Sequence, residues 1–291
     1  MGVALTLPRA GAVTDELLAP VLDISGETLS ALRGDLVEAL RSLASDLPGG
    51  ERFVLDAYRF STARRHPERC GTPEPFAPSP ARCRRAVGLA AVDRCLRRRA
   101  RGPVEAVGQV LETGVDDAAL VERGEAPRAP WWAKWYASLG PGGRAVVAAE
   151  AVTWCTQLWT ALAWDRFPVR PQVGGRDDWW DEPSTGALTL HGRAEVRARV
   201  GQRPVLVVVH SSVPDAAATT ALAFPALVAG LAGGPRAIPG RVVGLWPTSG
   251  QVRVLEVEEG ALRRCADDVL SAVGTWVDAA QSPDGVSRSA K

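Results

Sequence analysis

The chain has almost no lysine: of its 34 basic residues, only Lys134 and Lys291 are not arginine. Positive charge is therefore carried by guanidinium groups, permanently protonated and shaped to grip carboxylate or phosphate oxygens in pairs. The excess, with abundant Ala, Gly and Val, is of the kind that GC-rich coding sequence produces, which lowers the weight of any single arginine as a functional signal. Cysteine is scarce too. Cys70, Cys83, Cys95, Cys155 and Cys265 form an odd set with no CxxC pair, which argues against a disulfide framework and a standard zinc site. No apolar run approaches the ~18 residues of a membrane span, and the opening MGVALTLPRAGAVTDELL has no basic segment ahead of a long apolar one. A cytoplasmic chain without membrane contact is the expectation. Net charge is +1, so no whole-molecule field would drive it onto nucleic acid, and any such attraction must come from a local patch.

Several motifs are missing as well. GLAGGPRAIPG (residues 230–240) lacks the Lys-Ser/Thr ending of a P-loop and the GxGxxG spacing of a dinucleotide site, and no G-x-S-x-G surrounds the serines of HSS at 210–212. Nothing supports nucleotide hydrolysis, hydride transfer or acyl transfer.

What is present fits one large domain, or one domain with a smaller partner, in 291 residues. Leu29, Leu32, Leu36, Leu40 and Leu43 recur at helical steps, predicting an amphipathic helix over 27–46. RFVLDAYRF (52–60) reads as a strand, followed by a Pro-rich loop from His66 to Pro80. Ser79 and Pro80 are a helix start, N-cap then proline, and the helix they open carries Arg84, Arg85, Arg94, Arg97, Arg98, Arg99 and Arg101 around an inward stripe of Val87, Ala91, Cys95 and Leu96. Two readings stand for that surface: a solvated face with cations favoured at a helix C-terminus, or a phosphate-binding patch.

Residues 104–130 are polar and broken by Gly and Pro, predicting a short helix and a linker. They set a boundary between a mainly helical N-terminal part (1–130), a core (131–281) and a disordered tail (282–291). Trp131, Trp132, Trp135 and Tyr136 sit at helical spacing, a pattern of core packing more often than of stacking on a ligand. A long helix follows, with Val147, Val152, Cys155, Leu158, Trp159 and Leu162 on a stripe and Glu150 as its carboxylate. An acidic loop, GRDDWWDE (175–182), leads into LHGRAEVRARV (190–200), the first strand of a hairpin, and RPVLVVVHSS (203–212) is the second, a β-branched run of a strand buried on both faces. An Ala-rich helix (215–231), strands GRVVGLWP and VRVLEVEE, and a closing helix complete a mixed α/β order. No internal repeat is visible.

This order, from Gly142 to Ala280, resembles the RecB-type branch of the PD-(D/E)XK nuclease superfamily. The resemblance rests on the carboxylate-bearing helix with Glu150, on Gly192-Arg193-Ala194-Glu195 in the first strand, on the buried strand ending in His210-Ser211-Ser212, and on the late hairpin RVVGLWPTSGQVRVLEV. It implies an α+β fold, a central mixed sheet flanked by helices. It also implies that Glu150, Glu195 and His210 match the family's metal-binding positions and Ser212 its lysine. Such nucleases hold Mg²⁺ on carboxylates to activate water. His in place of an acid is a poor exchange for Mg²⁺, tolerable for Mn²⁺ or Zn²⁺, and Ser212 removes a cation that stabilises developing charge. TTALAFPALVAGL, after the second strand, lacks the family's Gln and Tyr. Only Cys265 follows the hairpin, which argues against the iron-sulfur cluster that some members carry.

Three functional readings follow. The first is a nuclease-like domain without hydrolytic activity, with no cofactor, acting as a DNA-associated binding or assembly module through Arg84, Arg85, Arg94, Arg97 and Arg98. The second is a metal-dependent DNA nuclease holding Mg²⁺ or Mn²⁺ on Glu150, Glu195 and His210, with Asp177, Asp178 or Asp181 reaching in. The third is a structural module that meets a protein partner through residues 1–130, the Leu29–Leu43 stripe packing on another chain.

Overall fold

The computed structural model describes residues 10–21, 24–45, 52–70, 77–174, 177–183, 186–210, 214 and 221–281. The expected tail at 282–291, the start of the Ala-rich helix and the middle of the Pro-rich loop lie outside these residues.

The protein is a mixed α/β structure built on a five-stranded sheet. In chain order the elements are α1 (Ala10–Leu18), α2 (Gly26–Ser45), β1 (Phe53–Asp56), α3 (Ala57–Arg65), α4 (Pro80–Leu96), α5 (Pro103–Glu122), α6 (Trp131–Ser138), α7 (Pro141–Thr160), β2 (Gln172–Val173), β3 (Asp178–Asp181), β4 (Leu188–Gly192), β5 (Val196–Val200), β6 (Arg203–Val209), α8 (Ala223–Gly233), β7 (Arg241–Trp246), β8 (Gln251–Glu256) and α9 (Glu259–Gln281). The large sheet has the order β2-β5-β6-β7-β8, and a smaller one has β1-β4-β3. Strands β5 and β6 form the expected hairpin, closed at Gly201, whose φ of +59° suits a glycine. Strand β6 then pairs in parallel with β7 through the α8 crossover, and β7 pairs antiparallel with β8.

The apolar runs of β6 and β7 explain the layering. Val205, Val207, Val209, Val243 and Leu245 enter one core with α1, α4, α5, α6 and α7. Leu206, Val242 and Trp246 enter a second core with α2, α3, α8, α9 and the small sheet. Successive strand residues point to opposite faces, so a continuous apolar run is what a strand between two helical layers requires. The Leu stripe of α2 is buried in this second core at Leu29, Leu32, Leu36 and Leu40, within its own chain.

Four expectations change. The strand expected over 52–60 ends at Asp56, whose carboxylate accepts from the Arg59 N–H at 2.8 Å and caps α3. The helix expected to be short within 104–130 is the 20-residue α5, whose Val107, Val110, Leu111 and Ala118 are buried, and the expected linker shrinks to residues 123–130. The acidic loop holds a strand, β3, with Trp180 inward and Trp179 outward. The strand expected over 190–200 breaks after Gly192, so β4 belongs to the small sheet and β5 to the large one. Nor does packing divide at residue 130: β1 pairs with β4, and α4, α5 and α7 share one core. Among the described residues no helix is long and apolar enough to cross a membrane.

Candidate functional site

Helix α4 starts where Ser79 accepts from the Arg82 N–H at 3.3 Å, with Pro80 at its first position. That start fixes the rotation of the helix. Cys83, Val87, Gly88, Ala91 and Val92 turn into the core, and Arg84 and Arg85 lie at its edge, against α7 and the β4–β5 link.

Glu195 sits in that link. Its own N–H donates to the Val207 carbonyl at 3.0 Å and its carbonyl accepts from the Gly174 N–H at 3.0 Å, so the residue is held as an extension of β5. The side chain is only 3% exposed. One carboxylate oxygen, Oε1, accepts from Nη2 of Arg85, and the other, Oε2, accepts from the backbone N–H of Val209 at 2.8 Å. Arg193 Nε lies 3.8 Å from Oε1. A buried carboxylate requires both a counter-charge and hydrogen bonds, and here the Arg85 guanidinium and one strand-end amide supply the hydrogen bonds, with Arg193 as a second, more distant cation.

His210 follows Val209 directly. Its N–H donates to the Leu245 carbonyl at 2.8 Å, extending the β6–β7 pairing by one residue, and its ring stacks on Trp246 with centroids 4.4 Å apart and planes at 9°. The structure thus brings Glu195 and His210 together at the C-terminal end of β6. Glu150, on α7, pairs with the neighbouring arginine: Arg84 Nη1 to Glu150 Oε2 is 2.9 Å. The two carboxylates singled out in the sequence therefore meet successive residues of α4, and each negative charge has a cation beside it. Ser212 lies outside the described residues.

The acidic residues in and just before β3 have other partners. Asp177 Oδ2 is 3.1 Å from His191 Nε2, Asp178 accepts from Arg197 at 2.5 Å, and Asp181 pairs with Arg52 and accepts from Thr189. Trp179 stacks on His191, centroids 3.9 Å apart. Among the described residues no group of three or more His, Cys, Asp or Glu is placed to hold a metal ion.

The five arginines expected to touch phosphate do not share one face. Arg84 and Arg85 are spent on Glu150 and Glu195. Arg94 reaches α5, at Gln109 and Thr113. Arg97 grips both oxygens of Asp93 at 2.9 and 2.7 Å. Arg98, with Arg99 and Arg101 beyond it, is exposed past the end of the helix.

The role of Arg85 is what sequence reasoning missed. Its signal was present: Arg85, Gly88 and Val92 recur at i, i+3 and i+7, which places the guanidinium over a stripe that is buried. All five cysteines are free, buried thiols. Burial pushes Cys83 up to about 11 and Cys155 up to about 12, and raises Cys70, Cys95 and Cys265 as well, so the thiolate is suppressed at neutral pH.

A scan against protein-family models gave no match to the chain, and a search of curated proteins gave none either.

Proposed function

We propose that the chain is a nuclease-like domain of the PD-(D/E)XK type, nearest the RecB branch, that associates with DNA as a binding or assembly module without hydrolysing it. The order α7, β5, β6, α8, β7, β8, α9 supports the likeness, with Glu150 on the helix and Glu195 just before β5. One observation carries the loss of hydrolysis: the buried carboxylate of Glu195 is already neutralised by Arg85 and hydrogen-bonded by the Val209 N–H. A divalent cation would have to displace a guanidinium in order to bind there. Hard carboxylate oxygens free to hold the ion are what metal-assisted hydrolysis needs, and Glu150 is also paired to an arginine.

Phosphate contact then falls to the exposed end of α4, at Arg98, Arg99 and Arg101. These positions fix a duplex by its backbone and read no bases. The test is binding and cleavage of labelled duplex DNA with Mg²⁺, with Mn²⁺ and with EDTA, on the wild type and Glu195→Ala. The expected result is salt-sensitive binding that EDTA leaves unchanged, with no cleavage. Arg99→Ala should weaken binding and lower the slope of log affinity against log salt by about 0.9. Metal-dependent cleavage that disappears in Glu195→Ala would overturn the proposal in favour of a nuclease with atypical ligands. Absence of DNA affinity at low salt would overturn its DNA half.

A further inference from the structure

Past the C-terminal end of α4 lies an open cleft of about 730 Å³, lined on its other side by the last turn of α7 and the residues that follow it to Pro171. Its floor is apolar and aromatic, with Trp164 and Phe167 buried behind it and Trp159 as the half-buried ring left to meet a ligand. Trp159 and Trp164 lie 6.2 Å apart with planes at 15°, and Phe167 stands beside Trp164 at 6.3 Å. Its rim is cationic: Arg97, Arg98, Arg101 and Arg170 line it against a single carboxylate, Asp165. Arg97 is committed to Asp93, whereas among the described residues no ion pair holds Arg98, Arg101 or Arg170.

Arg98 adds an independent observation. The Arg98 N–H donates to the Cys95 carbonyl at 2.9 Å and the Arg99 N–H to the Arg94 carbonyl at 2.8 Å, the paired bonds of a helix-ending Schellman turn. That turn puts Arg98 at φ +55°, and no other non-glycine residue among those described has a positive φ. Glycine occupies this position without a Cβ penalty. Here a strained arginine stands there instead, at the mouth of the cleft.

We infer that the cleft binds a nucleotide, with the base against Trp159 and the phosphates on Arg98, Arg101 and Arg170. A flat π-face packs on such rings in a sequence-tolerant way, and the guanidinium fork takes phosphate oxygens in pairs. A bare anion would leave the floor unused, and an apolar ligand would leave the cations unanswered. The volume is in the range of small-molecule sites. The nucleotide is either free or the 5′ end of a strand, and the two share this chemistry. The inference uses the cationic end of α4 invoked for DNA, and lies roughly 20 Å along the helix from Arg85, at 1.5 Å per residue.

The experiment is fluorescence anisotropy of methylanthraniloyl-ADP titrated with the full chain, with unlabelled ADP and a 5′-phosphorylated oligothymidylate as competitors. Saturable binding is expected. Arg98→Gly should raise Kd about tenfold while raising Tm by about 2 °C, an opposition that a merely structural arginine would not produce. Arg170→Ala, on an exposed side chain, should raise Kd as well. Stronger competition by ADP assigns the cleft to a free nucleotide, and stronger competition by the oligonucleotide to a strand end. No saturable binding at millimolar nucleotide, or a Kd unmoved by both variants, overturns the inference. Duplex binding in the absence of nucleotide binding would sink this inference alone, and nucleotide binding without DNA affinity would sink only the DNA reading.

Discussion

Glu195 shows how much a single guanidinium can decide. With Arg85 in place its carboxylate is a satisfied buried group, and without Arg85 it keeps one amide hydrogen bond and only the more distant, largely exposed guanidinium of Arg193 at 3.8 Å. Removing one partner of such a pair costs more than removing both, because the remaining ion stays desolvated. Arg85→Met should destabilise the fold by about 3 kcal/mol, at the low end of the usual range because Arg85 keeps 35% of its surface while Glu195 keeps 3%. Arg85→Met combined with Glu195→Gln should cost less than the sum of the two, and urea denaturation in a double-mutant cycle measures the difference. A sum without coupling would mean that Glu195 finds another counter-charge. The thiols act at the same scale. Cys83 and Cys155 hold their protons to about 11 and about 12 against an ordinary value of 9.0. Above pH 9 the unfolded chain releases protons that the folded chain keeps, so stability is complete below that pH and falls as the pH rises toward 11. The fall is up to about 1.4 kcal/mol per unit for each thiol. Denaturation midpoints across that range, compared with those of Cys83→Ala, give the slope.

Helices α4 and α7 approach closely because Gly88 makes room. A Cβ there would lie 2.3 Å from Cε3 of Trp154, an indole that cannot swing away in a filled core. Gly88→Ala should cost about 2 kcal/mol by overpacking, read as a fall in Tm, and Trp154→Leu in the same chain should recover part of it. Helix α1 is held from the other direction. Buried Arg241 of β7 donates to the carbonyls of Ala19 at 2.6 Å and Pro20 at 3.2 Å, just past its end, and pairs with Glu256. Arg241→Met should leave those carbonyls short of donors and speed amide exchange across residues 10–18, at a cost of about 2 kcal/mol. What the sequence disclosed at this scale follows local physics. The Leu stripe of α2, the Ser79-Pro80 start of α4 and the β-branched run of β6 each carry their signal within a few residues. Helix α5 was hidden because Gly114 reads as a breaker, although it clears space for the Trp132 ring. Strand β3 was hidden because Asp177, Asp178 and Asp181 read as a solvated turn until His191, Arg197 and Thr189 are brought against them. The candidate site was legible in half. Glu195 and His210 lie 15 residues apart around one hairpin, whereas Arg85 stands 110 residues away, and only the folded chain joins it to Glu195.

At the scale of the molecule, one sheet serves two cores. The helices of residues 1–130 divide between its faces, α2 and α3 on one and α1, α4 and α5 on the other, which is why no boundary near 130 separates a first domain from a second. The pairing of Arg84 and Arg85 with Glu150 and Glu195 ties the early helices to the late hairpin, so the candidate site belongs to the whole chain rather than to its C-terminal half. The alternation along β6 and β7 sets a further condition on how this gene can vary. Inserting or deleting a single codon within residues 205–209 would hand each helical layer, for the strand residues beyond the change, the side chains meant for the other. Length variation among descendants of this gene should therefore collect in the connections, with the spacing from Val205 to Val209 kept fixed even where its individual valines are exchanged.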